Sequence, residues 1–181
     1  MNLDDGMARA RQAAVDDREH KLMLAQLQHD LTERTQELFL DFVQRCQRLA
    51  ILPNVELQNV EPDTVRKAGW FKSRDEVTPG ERTTVQRGWV VAVLLTMDTY
   101  AGDLHTVLIV TEDANACTYQ SGVDQPRGRL DIKHCDRWSV TGHGHWQNLL
   151  RDGIPRLWVN GDHSELSAIL GEFLVKHSTG V

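Results

Sequence analysis

Glycine and proline are absent from forty-six consecutive residues, Met7 to Leu52. Because these two residues interrupt regular backbone structure most strongly, their absence permits one long helix. The stretch stops at Pro53, which cannot continue the helical hydrogen-bond ladder and keeps the residue before it out of the α region. We therefore expect a helix that ends at Leu52. Residues 1–52 are assigned to a helical arm, and residues 53–181 to an α+β domain that folds together with the later part of the arm.

Cysteine is scarce: Cys46, Cys117 and Cys135 are widely spaced, and none forms a C-x-x-C pair. Such an odd, sparse set argues against a disulfide framework or a zinc ribbon. The first residues also lack a basic segment followed by an apolar one, so no secretory signal is expected. The expected location is a reducing cytoplasm.

Long apolar runs and excess positive charge are missing as well. The longest apolar run, Trp89 to Leu95, is far shorter than the roughly 20 residues that a helix needs to cross a bilayer, so no membrane partner is expected. Twenty Lys and Arg against twenty-six Asp and Glu give a formal charge of −6. An acidic chain lacks the electrostatic footprint of phosphate contacts, which argues against duplex nucleic acid as a partner for the surface as a whole.

The helical arm carries an apolar repeat of helical period. Its members, at steps of three or four residues, are Leu24, Leu27, Leu31, Thr35, Leu38, Phe42, Cys46 and Leu49. A repeat of this kind, nearer eleven residues than seven, is typical of a nearly straight helix rather than a left-handed coiled coil. We expect this face to pack on the chain's own sheet or on a second copy in an antiparallel pairing. Its predicted interaction residues are Leu24, Leu27, Leu31, Leu38 and Phe42.

The ordered helix is expected to begin near Asp17. Upstream of Leu22 the apolar repeat is lost among charged residues, and Asp16 followed by Glu19 resembles a capping box. Residues 1–15 are expected to form a separate alanine-rich helix or to stay frayed.

Beyond Pro53, β-branched and aromatic residues predominate. The predicted strands are Val55–Val60, Thr83–Met97, His105–Thr111, Cys117–Gln120, Leu130–His134 and Leu157–Asn160. Short polar turns join successive strands, which predicts a mostly antiparallel sheet of about five or six strands. The segment from Gly88 to Leu95 is apolar at successive positions, so this strand is expected to lie centrally and to be covered on both faces.

The C-terminal region predicts a final helix. Asp162 followed by Glu165 indicates its capped start. Its apolar stripe consists of Leu166, Ile169, Leu170, Phe173 and Leu174. The predicted fold class is α+β: a long N-terminal helix, a mostly antiparallel sheet, and a C-terminal helix packed on that sheet.

The densest group of reactive side chains is His134, Cys135, His143 and His145, within twelve residues. Imidazole and thiolate ligands suit zinc, and two histidines at i and i+2 on a strand share a face. The glycines on both sides of His143 are equally typical of an exposed loop. No cofactor is assigned; zinc is the one candidate. The sequence contains no hydrolase signature. No Gly-x-Ser-x-Gly elbow occurs. His134 and Cys135 do not form a base–nucleophile pair, because adjacent residues on a strand face opposite sides.

A second group, Lys67, Trp70, Phe71 and Lys72, interleaves cations with aromatics. Single-stranded nucleic acid is recognised in this way, because bases stack on rings and cations meet the backbone. The same segment also suits a simpler role, in which both rings pack against the long helix and the cations stay solvated.

Tryptophan is unusually frequent, with five residues against two tyrosines. Most are expected in the core, but Trp is also enriched at binding hot spots. Trp138 and Trp146 flank the Gly/His-rich loop and are the predicted anchors.

Together these features favour a protein-interaction or assembly module that homodimerises or binds a protein partner through the helical arm and the Trp/His-rich loop, rather than an enzyme. One alternative is a small metal- or histidine-dependent enzyme centred on His134, Cys135, His143 and His145. A second is a single-stranded nucleic-acid binder through residues 66–74.

Overall fold

The computed structural model describes residues 3–66, 76–78, 80–100, 102–138 and 153–178. Within these ranges the chain forms two α-helices, α1 (Leu3–Arg48) and α2 (Leu166–Ser178). The strands are β1 (Val55–Val60), β2 (Thr64–Arg66), β3 (Glu76–Thr78), β4 (Arg82–Thr99), β5 (Gly102–Thr111), β6 (Ala116–Ser121), β7 (Gly128–Asp131), β8 (Cys135–Arg137), β9 (Arg156–Val159) and β10 (Asp162–Glu165). A 3-10 turn, Ile132–His134, joins β7 to β8.

The α1 helix is continuous, so the expected start near Asp17 is wrong. The Asp16 and Glu19 pair lies inside the helix rather than at its cap. Residues of good helix propensity continue through this charged segment, and side-chain pairs four residues apart support it. One such pair joins Lys21 Nζ to a carboxylate oxygen of Asp17 at 2.6 Å.

The predicted end of α1 at Leu52 is also too late, because the helix ends at Arg48. Ala50 adopts a left-handed conformation, with φ of 53°. The Ile51 N–H donates to the Cys46 carbonyl at 2.9 Å, and the Ala50 N–H donates to the Gln47 carbonyl at 3.2 Å. These two bonds form a Schellman motif, which satisfies the last carbonyls and turns the chain before Pro53 is reached.

The main sheet has six strands in the order β7-β1-β4-β5-β6-β8. Every neighbouring pair is antiparallel except β1 and β7, so the sheet is mixed but mostly antiparallel, and the predicted α+β class is confirmed. β4 is an interior strand with buried residues on both faces, as the uninterrupted apolar run from Gly88 indicates. The predicted strand Leu130–His134 is shorter in the structure, because β7 ends at Asp131 and the 3-10 turn follows.

This sheet is strongly curled, because its two edge strands are consecutive in the chain. β7 and β8 lie at opposite edges, yet only the three-residue 3-10 turn joins them. A flat sheet of six strands would separate these edges by roughly 24 Å, at about 4.8 Å per strand. The concave face encloses one apolar cluster, here called the inner cluster: Val55, Leu57, Val90, Val107, Ile109 and Leu130, with Val93, Cys117, Tyr119, Ile132 and Cys135 packed against it.

The convex face of the sheet is covered by both helices. Phe42 of α1 makes edge-to-face contacts with Trp89 of β4, at a ring distance of 5.8 Å, and with Phe173 of α2, at 5.4 Å. Leu31 and Leu108 belong to the same cluster and are at most 1 % exposed. The later part of α1 therefore packs on the chain's own sheet, and α2 packs on the sheet as predicted.

The segment Asp162–Glu165 is a strand, so its predicted role as a helix cap is wrong. β10 pairs with β9 in an antiparallel hairpin, and α2 begins only at Leu166. The predicted apolar stripe of α2 is confirmed, because Leu166, Leu170 and Phe173 are buried. Among the described residues, neither helix combines the length and apolarity that crossing a bilayer requires.

Candidate functional site

A cleft of about 550 Å³ runs along β4. Its base is the β4 segment Val90–Val93. α2 forms one wall through residues such as Ala168 and Ile169, and the loop before β7 forms the other through Asp124 and Arg127.

The cleft exists because β4 is much longer than β1. β4 has eighteen residues, whereas β1 has six and pairs with β4 only from Arg82 to Gly88. On its other side β4 pairs with β5 as far as Thr99. In the described part of the chain, no strand pairs with β4 beyond Gly88 on the β1 side. Within the described residues, this part of β4 is therefore an open sheet edge.

Two asparagines occupy the ends of this open edge. The Asn54 N–H donates to the Gly88 carbonyl at 3.0 Å, and Asn54 Oδ1 accepts from the Val90 N–H at 3.0 Å. Asn160 repeats this arrangement further along β4: its N–H donates to the Leu94 carbonyl at 2.9 Å, and its Oδ1 accepts from the Thr96 N–H at 3.0 Å. Each asparagine supplies the donor and the acceptor that a neighbouring strand would supply.

Two irregularities in β4 lie between these asparagines. The pairing of β4 with β5 shifts between Val90 and Ala92, and again between Val93 and Leu95. Each shift is a β-bulge, which reverses the alternation of backbone directions and bends the strand. Bulges are over-represented next to functional sites, where they change the direction of backbone or side-chain groups.

The rim of the cleft carries both signs of charge. Arg127 lies on the loop side, and Glu172 and Lys176 lie on α2. Among the described residues, none of these three takes part in an ion pair. His177 stacks on Phe173 with ring centroids 4.0 Å apart, and its Nδ1 lies 2.8 Å from the Phe173 carbonyl oxygen. That contact orients the imidazole along α2.

The described lining of the cleft includes the hydroxyl of Ser164 and the imidazole of His177. Within the described residues, Ser164 forms no hydrogen bond to a basic side chain. The base is apolar, and the rim is charged. A few polar groups around an apolar base are typical of sites that bind a ligand by shape and hydrogen bonding.

The predicted interaction residues lie elsewhere. Leu31 and Phe42 are each 1 % exposed, and Trp138, 8 % exposed, contacts Phe39 edge to face with ring centroids 5.7 Å apart. These residues serve the chain's own core. Leu24, Leu27 and Leu38 pack against the same cluster but are only partly buried. Trp146 lies outside the described residues, and an interaction role for this set stays a prediction.

The structure describes only two of the four predicted metal ligands. His134 is exposed and Cys135 is half-buried, whereas His143 and His145 lie outside the described residues. Within the described ranges, no three His, Cys, Asp or Glu side chains are grouped so that they could hold a metal ion. The predicted nucleic-acid residues Lys67, Trp70, Phe71 and Lys72 lie wholly outside those ranges, between β2 and β3.

Sequence reasoning did not find the cleft, although one signal for it was present. The predicted strand 83–97 is more than twice as long as the predicted strand 55–60, and paired strands of unequal length leave an open edge. The sequence does not reveal which side of β4 is open or that α2 borders the open side. Both features depend on contacts between residues far apart in the chain.

No family model, curated protein or solved structure matches this chain.

Proposed function

We propose that the protein is a protein-interaction module that binds an extended segment of a partner protein along the open edge of β4. One observation carries this proposal: the β4 segment from Val91 to Val93 lies in a cleft between Asn54 and Asn160, and none of the described strands pairs with it on the cleft side. An added strand gains affinity from main-chain hydrogen bonds and specificity from pockets for alternate side chains.

The dimensions of the cleft agree with a short peptide. At about 3.3 Å per residue, four extended residues span roughly 13 Å. A cavity of about 550 Å³ holds a segment of that size. Because Ile169 and Ala168 border it, we expect an apolar side chain at the position that faces α2.

The test is selection of peptides from a phage-displayed library of random seven-residue sequences on the full-length protein. Ala168→Trp fills the cleft from α2, where the residue is exposed and no core side chain is displaced. Val175→Trp places the same ring on an exposed position of α2 outside the cleft and is the matched control. We expect selected peptides to bind the wild type and Val175→Trp equally and to lose at least about tenfold in affinity for Ala168→Trp, a loss of about 1.4 kcal/mol.

Two outcomes contradict the proposal: no enrichment of any sequence on the folded protein, or peptides that bind Ala168→Trp as tightly as the wild type. In the second case the binding surface lies outside the cleft.

A second candidate function is self-association through α1. Its exposed apolar residues include Val15, Leu22 and Met23, which are 49 %, 64 % and 53 % exposed. Isolated helices are marginally stable in water, so a helix that extends beyond its own core gains stability from a partner. We propose a second copy as the partner, because Val15, Leu22 and Met23 lie seven and eight residues apart on one face of the helix, and the same face of another copy can cover them in an antiparallel pairing.

Analytical ultracentrifugation tests this second function. We expect the wild type to sediment as a dimer at micromolar concentration and Leu22→Glu to shift to monomer. Gln28→Glu adds the same charge at an exposed position that is not apolar, and it should leave the dimer intact. A monomeric wild type would reject self-association without affecting peptide binding.

We place this function in the cytoplasm as part of the proposal. The three cysteines, Cys46, Cys117 and Cys135, are free thiols, which is the usual state in a reducing compartment. The metal-dependent and nucleic-acid-binding alternatives depend largely on residues outside the described ranges and remain predictions.

A further inference from the structure

Two of the three cysteines lie next to each other on the concave face of the sheet. Cys117 lies on β6 and Cys135 on β8, and the register pairs Cys117 with Arg137 and Tyr119 with Cys135. The two cysteines are therefore diagonal neighbours, offset by two residues, and their side chains point to the same face. Both pack against the inner cluster.

The two thiols are close enough to affect each other's ionisation. Contact with the Cys117 thiol lowers the pKa of Cys135 below its ordinary value, although burial and the carboxylates of Asp131 and Asp136 act in the opposite direction. The same contact and burial raise the pKa of Cys117. The Cys135 thiol itself donates to the Asp131 carbonyl oxygen at 3.9 Å. Cys135 lies on the edge strand β8, whereas Cys117 lies on the interior strand β6, so Cys135 is the first thiol that a reagent meets.

The thiol pair is accessible from outside. Cys117 and Cys135 both line a second, more open cavity of about 370 Å³, together with Leu57 and Ile132. Both side chains are partly exposed, whereas the third cysteine, Cys46, is fully buried. β8 is only three residues long and lies at the edge of the sheet, so it leaves the two thiols accessible to small reagents.

We propose that Cys117 and Cys135 form a reversible disulfide by exchange with a low-molecular-weight disulfide. The Cys135 thiolate attacks one sulfur of the reagent and releases the first small thiolate, which leaves a mixed disulfide on Cys135. Cys117 then loses its proton and attacks the Cys135 sulfur, and the second small thiolate leaves. The protein gives up two electrons and two protons, and the reagent becomes two thiols.

The position of the pair favours a bond that is readily reduced. Diagonal neighbours on adjacent strands have Cα atoms roughly 7–8 Å apart, whereas disulfides usually span about 4.4–6.8 Å. β8 must therefore move by roughly 1 Å toward β6 when the bond forms. Strained disulfides have higher reduction potentials and are the labile ones, so millimolar thiol is expected to reverse the reaction.

Formation of the bond also affects the α1 side of the molecule. Trp138 follows β8 directly, donates its backbone N–H to the Ala116 carbonyl at 3.1 Å, and packs its ring on Phe39 of α1. A shift of β8 is therefore transmitted to a contact between the sheet and α1. This inference is independent of the proposed peptide binding.

The test is incubation of the full-length folded protein with glutathione disulfide, followed by acid quenching, alkylation under denaturing conditions, and mass spectrometry. We expect one alkylated thiol per chain, at Cys46, and one cross-link between the tryptic peptides 88–127 and 134–137. Excess glutathione should restore three alkylated thiols. Cys46 is the internal control, because burial raises its pKa to about 12 and keeps it unreactive in the folded state.

Two single substitutions separate the steps. Cys117→Ser should stop at a glutathione adduct on Cys135, whereas Cys135→Ser should leave Cys117 as a free thiol. Three alkylated thiols after incubation would overturn the proposal, as would a cross-link to Cys46 or a Cys117→Ser protein that carries no adduct.

Discussion

The Trp89 indole Nε1 donates a hydrogen bond to the carbonyl oxygen of Ile51 at 3.2 Å. This bond joins the turn that ends α1 to the interior strand β4. Trp89 is only 2 % exposed, and its ring also meets Phe42 edge to face. A single side chain therefore fixes the end of α1 and the packing of that helix on the sheet.

Trp89→Phe tests this relationship by removing the donor while keeping an aromatic ring. We expect the free energy of unfolding to fall by about 2 kcal/mol, because a buried carbonyl loses its partner and a small cavity forms. Urea unfolding followed by circular dichroism measures the change. Tyr100→Phe, at a fully exposed ring, should change stability by no more than about 0.5 kcal/mol. Equal stability of wild type and Trp89→Phe would show that the hydrogen bond is unimportant.

Ala50→Gly should stabilise the protein. Ala50 is exposed and has a φ of 53°, a left-handed conformation that glycine adopts without steric cost. We expect a gain of about 0.5–1 kcal/mol, since the relief of strain exceeds the added entropy of the unfolded chain. Ala25→Gly, within α1, should instead destabilise by about 1 kcal/mol. Thermal unfolding of both variants gives the comparison, and a loss of stability at both positions would contradict the left-handed turn.

Asp113 organises the turn between β5 and β6 and should contribute to the pH dependence of stability. Burial raises the pKa of this carboxyl, but hydrogen bonds from Thr111 and from Asn115 outweigh it, so the pKa lies below its ordinary value. Gln86 Nε2 also donates to Asp113 Oδ2, at 2.6 Å. Because the folded state holds the ionised form more strongly, the stabilisation is complete above the unfolded-state pKa, near 3.9. It is lost as the pH falls through the lower pKa of the folded state.

Asp113→Asn should therefore be less stable than the wild type at pH 7, and its stability should fall less steeply below about pH 4. Urea unfolding at a series of pH values measures both effects. Asp103→Asn is the control, because Asp103 lies at the start of β5, at the opposite end of this strand from Asp113. If Asp113→Asn retained the full acid sensitivity of the wild type, other carboxylates would account for it.

The sequence predicts strands best where turn residues bound a short β-branched run. Val55–Val60 is correct at both ends, because Pro53-Asn54 precede it and Glu61-Pro62 follow. β10 was predicted as a helix cap, since Asp and Glu three residues apart suit either role. The better signal was Asn160-Gly161, whose φ angles of 45° and 99° form the tight turn between β9 and β10.

The candidate site was beyond sequence reasoning for a physical reason. Its base comes from β4, its ends from Asn54 and Asn160, and one wall from α2. Asn54 and Asn160 alone are 106 positions apart, and these residues share no local pattern. The thiol pair was missed for a related reason: Cys117 and Cys135 become neighbours only through the register of β6 and β8.

Hydrogen exchange tests the open edge of β4 without a ligand. Amides from Val91 to Val93 that point into the cleft should exchange about tenfold or more faster than those of Val107 to Val110, which β4 and β6 cover on both sides. The Thr96 amide should be protected, because Asn160 Oδ1 accepts from it. Asn160→Gly keeps the left-handed turn but removes this acceptor, so it should accelerate exchange at Thr96 and leave Val90, bonded to Asn54, unchanged. NMR measures these exchange rates residue by residue. Uniform protection across Val91–Val93 would mean that the edge of β4 is covered and that a partner strand cannot add there.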